Sequence, residues 1–247
     1  MMDPCAQLKG LRVLFLAMLA LSLAARGEEA AGPSFLPPID GWMYSHTGAP
    51  ANWFGRLYLG KPLREPINVV ILDAASNSAS EASARLFLAC RKAGFPSRIG
   101  HSGGYRAILS GAAIQQWSPD GKPAFSDAPF ERANDHGRIF GPIPWRSRFV
   151  FVAAFSRETL DLLPEIRHKY VSFNQARNSF AANLERTGTY QHIGWIRLEN
   201  LPAADASFSV GDHDGRAIVL ATTLKAGTLY GRILAPYVPA KTGLVSP

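Results

Sequence analysis

The sequence has 247 residues, with 26 lysines and arginines against 19 aspartates and glutamates, for a net charge of +7. Nearly half of it is hydrophobic, which is enough for one large core or two small ones and too much for a disordered chain. The basic residues are scattered singly rather than clustered with aromatic neighbours, which sets nucleic acid aside and favours an anionic small molecule or an anionic envelope component as partner.

Lys9 and Arg12 precede an apolar run from Val13 to Ala25, with small residues at Ser22, Ala24 and Ala25. This is the layout of a cleaved secretory signal over residues 1–25. The run is about 13 residues against the roughly 20 that a membrane helix needs. Cleavage removes two cations and one carboxylate, so the net charge falls to about +6. It also removes Cys5 and leaves Cys90 alone, so the core must be stabilised by burial rather than by a disulfide. No later segment is long and apolar enough to span a bilayer. The expectation is a periplasmic or secreted bacterial protein without a transmembrane segment after signal removal.

Residues 26–65 are rich in proline, glycine and aromatic residues but carry little periodicity, and read as an irregular N-terminal arm packed on a single domain over 66–247. INVVIL, from Ile67 to Leu72, is a continuous apolar run that suits a buried strand. A helix follows: Ser78 and Glu81 have capping-box spacing, Ala82, Leu86, Ala89, Cys90 and Ala93 share a face, and Gly94 suits a left-handed terminus. Cys90 is thereby a core residue. RFVFVAAF, Arg148 to Phe155, is the second strong strand, and SRETLDLL after it predicts a short helix ending before Pro164. The second long helix begins at Ser172, with Gln175 at capping-box spacing and Phe173, Ala176, Phe180 and Leu184 as its apolar stripe. YQHIGWIRL and RAIVLATTL complete the strands. Two helices among groups of strands, without regular alternation, predict an α+β fold: a mixed, mainly antiparallel sheet with two principal helices.

Four segments carry polar chemistry. In GHSGGYRAI, His101 lies among glycines, either as a surface residue of a turn or as an imidazole offered to a ligand. In NDHGRIFGP, an extended backbone puts His136 and Arg138 on one face and Asp135 on the other. A proton-transfer group beside a fixed cation suits an anionic substrate; the plainer reading is a turn. HKY places His168 ahead of the second helix, where the helix start disfavours its protonation. Arg177 sits on the apolar stripe of that helix, so its stem reaches solvent or it meets an anion or carboxylate at the interior edge. Arg157 follows the second strand. In GDHDGRAI, Asp214 and Gly215 suit a two-residue hairpin loop, while Asp212 and Asp214 could polarise His213 or bind a cation.

The order INVVIL, KAGF, GYRAIL, AFSD, NDHGRIFGP and HKYVSFNQARNSF resembles the C-terminal domain of LssY-type bacterial envelope proteins, over roughly Pro66 to Leu184. The resemblance carries His136 and Arg138, then His168 and Arg177, and implies an envelope location rather than a particular activity. The chain departs from that family in having no membrane segments and in adding GDHDG.

Signatures of serine hydrolases, P-loops, dinucleotide folds and zinc sites built from neighbouring residues are absent. No cofactor is predicted; a divalent metal stays open, with Asp212 and Asp214 as candidate ligands. The resulting expectation is an exported hydrolase of a phosphate ester or lipid headgroup. His136, with Asp135, His101, His168 and His213, would be catalytic, and Arg138, Arg177 and Arg157 would bind the anion. The alternative is a noncatalytic periplasmic domain that binds an anionic glycan or lipid. The catalytic reading requires His136 to lie in direct or one-water reach of another of these histidines.

Overall fold

The computed structural model describes residues 35–117, 119–161 and 167–223. The proposed signal, 1–25, lies outside the described residues, as does the expected helix end before Pro164. The described residues from Pro37 onward form one compact α+β unit.

Its centre is a mainly antiparallel sheet. Strand β4 (Val69–Asp73) is buried along its whole length and is paired on both sides. Strand β10 (Arg148–Asp161) runs antiparallel to it, and β13 (Arg216–Thr222) runs parallel to it. Beyond β10 come β9 (Asn134–Trp145), β8 (Ala124–Ser126) and the two-residue β5 (Ser97–Arg98). Beyond β13 comes β12 (Tyr190–Arg197), and β11 (Arg167–Ser172) adds to the outer part of β10.

Helices α1 (Ala79–Lys92) and α2 (Phe173–Arg186) cover one face of this sheet. Both start as their sequences direct. The Ser78 hydroxyl accepts the Glu81 amide at 3.1 Å, and Ser172 accepts that of Gln175 at 2.8 Å, each cap being worth about 1 kcal/mol. The Gln175 side chain does not complete a box; it accepts from Arg157. The predicted apolar stripes of both helices are buried, and the Phe155 and Phe180 rings stack at 4.0 Å between sheet and helix. Cys90 is fully buried in this core, where burial pushes its thiol pKa far up.

The arm read as irregular holds three strands: β1 (Ile39–Tyr44), β2 (Asn52–Tyr58) and β3 (Lys61–Arg64). Strand β1 joins β6 (Arg106–Leu109) and β7 (Ala112–Gln115) in a small sheet, and β2 pairs with β3. Trp53 and Leu63 from this region are buried against Phe173.

Two local expectations are corrected. Ser156 to Asp161 continue β10 instead of starting a helix, because they pair with β9 as far as Asn134 and with the whole of β11. Two ladders outweigh a capping signal. Asp214 and Gly215 are not a two-residue hairpin loop: β12 ends at Arg197, and a long loop precedes β13. Among the described residues, no helix is long and apolar enough to cross a membrane.

Candidate functional site

The pairing of β9 with β10 sets the site. His136 stands opposite Ser156, and Asn134 opposite Glu158. Alternation along each strand therefore puts Asn134, His136, Arg138, Ser156 and Glu158 on the face away from the helices. Asp135 and Arg157 emerge on the other face, where the carboxylate takes two guanidinium bonds at 2.6 and 2.7 Å.

His101 reaches this row from the loop between β5 and β6. Gly100 adopts φ +94°, and a Cβ there would fall 2.9 Å from Phe130 Cβ; glycine lets the loop lie on Phe130 and deliver the imidazole. The His101 ring stacks on His136 with centroids 4.4 Å apart, edge-on to Phe130. His168, from β11, stacks on both Phe130 and Phe54 and brings Nδ1 to 3.1 Å from Glu158 Oε1. One possible ligand atom each from His101, His136 and Glu158 lies within 4.8 Å of the other two.

Hydrogen bonds orient part of this cluster. The Asn134 amide donates to Glu158 Oε1 at 2.6 Å and to the Arg132 carbonyl, so its own oxygen faces His136 Nδ1 at 2.9 Å. His136 Nδ1–H must then donate, which leaves the lone pair on Nε2. The Ser156 hydroxyl lies 3.4 Å from that nitrogen and itself receives Trp53 Nε1–H. Other atoms are left over. Among the described residues, neither ring nitrogen of His101 has a hydrogen-bond partner, nor does Glu158 Oε2. His168 Nδ1 approaches Glu158 closely without the alignment of a hydrogen bond.

Electrostatics hold the imidazoles neutral. Burial, then the Arg138 charge and His168, lower His101 to about 3. Burial and Arg138 likewise lower His136 well below its ordinary value. Burial and Arg56 lower His168. Burial raises Glu158 to about 7 against the opposing effects of Asn134 and Arg138. Arg138 is itself buried, 3.8 Å from Glu65, bonded to Ser102 Oγ at 3.2 Å and lying over the Tyr105 ring. Burial raises Glu65 as well, despite Arg138.

A cavity of about 300 Å³ adjoins the cluster, walled by Trp53, Tyr58 and Tyr170 with Arg56, His168 and Lys169. His168 belongs both to this wall and to the cluster.

The remaining candidate residues do other work. His213 is buried elsewhere and contacts Asn200. Arg177 meets a carboxylate: it binds Asp214 at 2.8 Å and lies over Trp195. Burial favours the protonated form of Asp214, but bonds from Arg177 and Arg216 outweigh it and hold the carboxyl far below its usual range. Asp212 binds Ser172, the Tyr170 hydroxyl and the Phe173 amide at the start of α2; those bonds lower its pKa against the effect of burial. Both aspartates thus anchor α2 and its neighbouring loop.

Asn134 completes the cluster without being a candidate from sequence, and Glu158 joins it although Ser156, Arg157 and Glu158 read in sequence as a helix cap with a salt bridge. Their signal is alternation: N-D-H-G-R and S-R-E each place polar residues two apart, which lines one face once both segments are read as strand. No family model, curated protein or solved structure matches the chain at a significant level.

Proposed function

We propose that this protein is a hydrolase of an anionic ester, a phosphate ester or lipid headgroup, acting where the cavity meets the imidazole–carboxylate cluster. The observation that carries the reading is the double position of His168, which lines the cavity and approaches Glu158 at 3.1 Å. Arg56 and Lys169 on the cavity wall outnumber its carboxylate, Asp161, and leave net positive charge for the anion. Leu57, Leu59 and Tyr58 offer surface for an apolar portion of the substrate. A neutral His168 is the group in reach of both substrate and cluster, and accepts a proton from the attacking water. Arg138, behind the imidazoles, stabilises negative charge at a distance. The apolar leader of the sequence and the likeness to LssY-type domains support an envelope location.

The test is turnover by the full chain of aryl phosphate mono- and diesters and of phospholipid vesicles. His168→Asn should lower kcat by about 100-fold or more, in the range of general acid–base contributions. Arg56→Ala should chiefly raise KM. Absence of turnover on all substrates, or an unchanged rate in His168→Asn, rejects the proposal.

The near-complete burial of His101 and His136 favours a second reading, a noncatalytic domain that holds an anionic glycan or lipid in the same cavity. Under that reading Arg56→Ala loses ligand binding and there is no turnover to lose.

A further inference from the structure

We infer that His101, His136 and Glu158 form a binding site for a divalent transition-metal ion of the zinc type. The inference deepens the hydrolase reading, whose cluster it shares, but it stands on separate observations.

The first is convergence. Three groups from different parts of the chain, all buried, bring ligand atoms within 4.8 Å of one another. Donors around tetrahedral zinc, at about 2.0–2.1 Å from the ion, stand about 3.3 Å apart, so small side-chain rotations close the site. The second is the unused hydrogen-bonding capacity. His101 is 5% exposed with both ring nitrogens unpartnered among the described residues, and Glu158 Oε2 is buried and unpartnered too. A buried polar atom without a partner costs about 1–3 kcal/mol, and such losses gathered on two residues of one convergent cluster imply a missing common partner. The third is the surroundings. Asn134 takes the Nδ1–H of His136 and donates to Glu158 Oε1, which is how outer residues fix the tautomer and aim of metal ligands.

Two imidazoles and a carboxylate, with no thiolate, suit zinc or iron(II) better than calcium or magnesium, which prefer all-oxygen shells. Three protein donors also leave a coordination position for water, the pattern of catalytic rather than structural zinc. There the ion would acidify its bound water, and His168 on the cavity wall would take the proton.

The experiment is titration of the full chain, stripped with chelator, by Co²⁺ followed through its visible d–d absorption. One saturable equivalent is expected, displaced by Zn²⁺ and unaffected by excess Mg²⁺. His101→Asn and Glu158→Gln should each weaken binding at least 100-fold. Asn134→Ala should weaken it about 10–100-fold. His192→Asn, an exposed imidazole on β12, should leave it unchanged. Ring-nitrogen NMR of the unmodified chain covers the case of a variant that does not fold: His101 and His136 signals should shift with Zn²⁺ while those of His213 stay in place. Absence of a stoichiometric Co²⁺ site, wild-type affinity in both ligand variants, or unmoved His101 and His136 signals would overturn the inference. Ion uptake without ester turnover retains the metal site and rejects the hydrolase; turnover with no ion bound does the reverse.

Discussion

His213 is an imidazole kept neutral by its burial. Asn200 donates its amide hydrogens to the Gly41 and Ile67 carbonyls, so its oxygen faces His213 Nε2 at 3.0 Å and requires an Nε2–H there. Burial, assisted by Arg177 and opposed by Asp214 and Asp212, lowers the pKa to about 4, against about 6.5 in an unfolded chain. Between those values the unfolded chain takes up a proton that the folded chain refuses. Stability is therefore fully present above about pH 6.5 and falls by about 3 kcal/mol as the pH drops to about 4. Replacing His213 with Gln keeps a donor toward Asn200 and removes the titration. Denaturant melts across that range should show a shallower pH dependence in the variant, and an unchanged slope would contradict the assignment. A residue-level fate of this kind is hard to read from sequence. GDHDG displays polar groups, but whether its histidine meets solvent, a carboxylate or Asn200 depends on chain far away. Arg177 was more legible, because its place on an apolar stripe demanded a partner and Asp214 supplies one.

At the scale of the element, β9 depends on a close approach at Gly137. A Cβ there would fall 2.5 Å from Phe155 Cγ and 2.7 Å from the Ala154 carbonyl, inside the packing of Phe155 on α2. The glycine between His136 and Arg138 thus lets their strand lie flat on its partner while both side chains face the site. Gly137→Ala should destabilise by about 1–3 kcal/mol through overpacking, visible as a melting point lowered by several degrees; an unchanged melt would show that the contact is not tight. Elements with one strong local pattern were legible: the two helices, the apolar β4 and the opening half of β10. The outer half of β10 was not, since Ser156, Arg157 and Glu158 have the local chemistry of a helix start. Pairing with β9 and β11 decides otherwise, and with it the direction in which Glu158 points. That is why Glu158 reads in sequence as part of a helix cap and salt bridge, while His101, His136 and His168 read as candidates for the site.

For the whole molecule, the sheet brings together what the sequence scatters. His101 comes from a glycine loop, His136 and Glu158 from adjacent strands, and His168 from the added strand β11; only the strand order makes them neighbours. That order also has a consequence in time. Strand β4 has one edge on β10, and its other edge is covered by β13, the parallel partner made far later in the chain. Until β13 emerges during synthesis, Val69 to Leu72 present an open apolar edge of the kind that recruits other chains. Every residue of the cluster is already made by then. A chain ending before Arg216 should nevertheless aggregate instead of remaining a soluble monomer in size-exclusion chromatography, and a monomeric product with the full-length melting behaviour would refute this. The seam laid down early is closed by a strand made late, so the newborn protein must be kept from its own kind until that strand arrives.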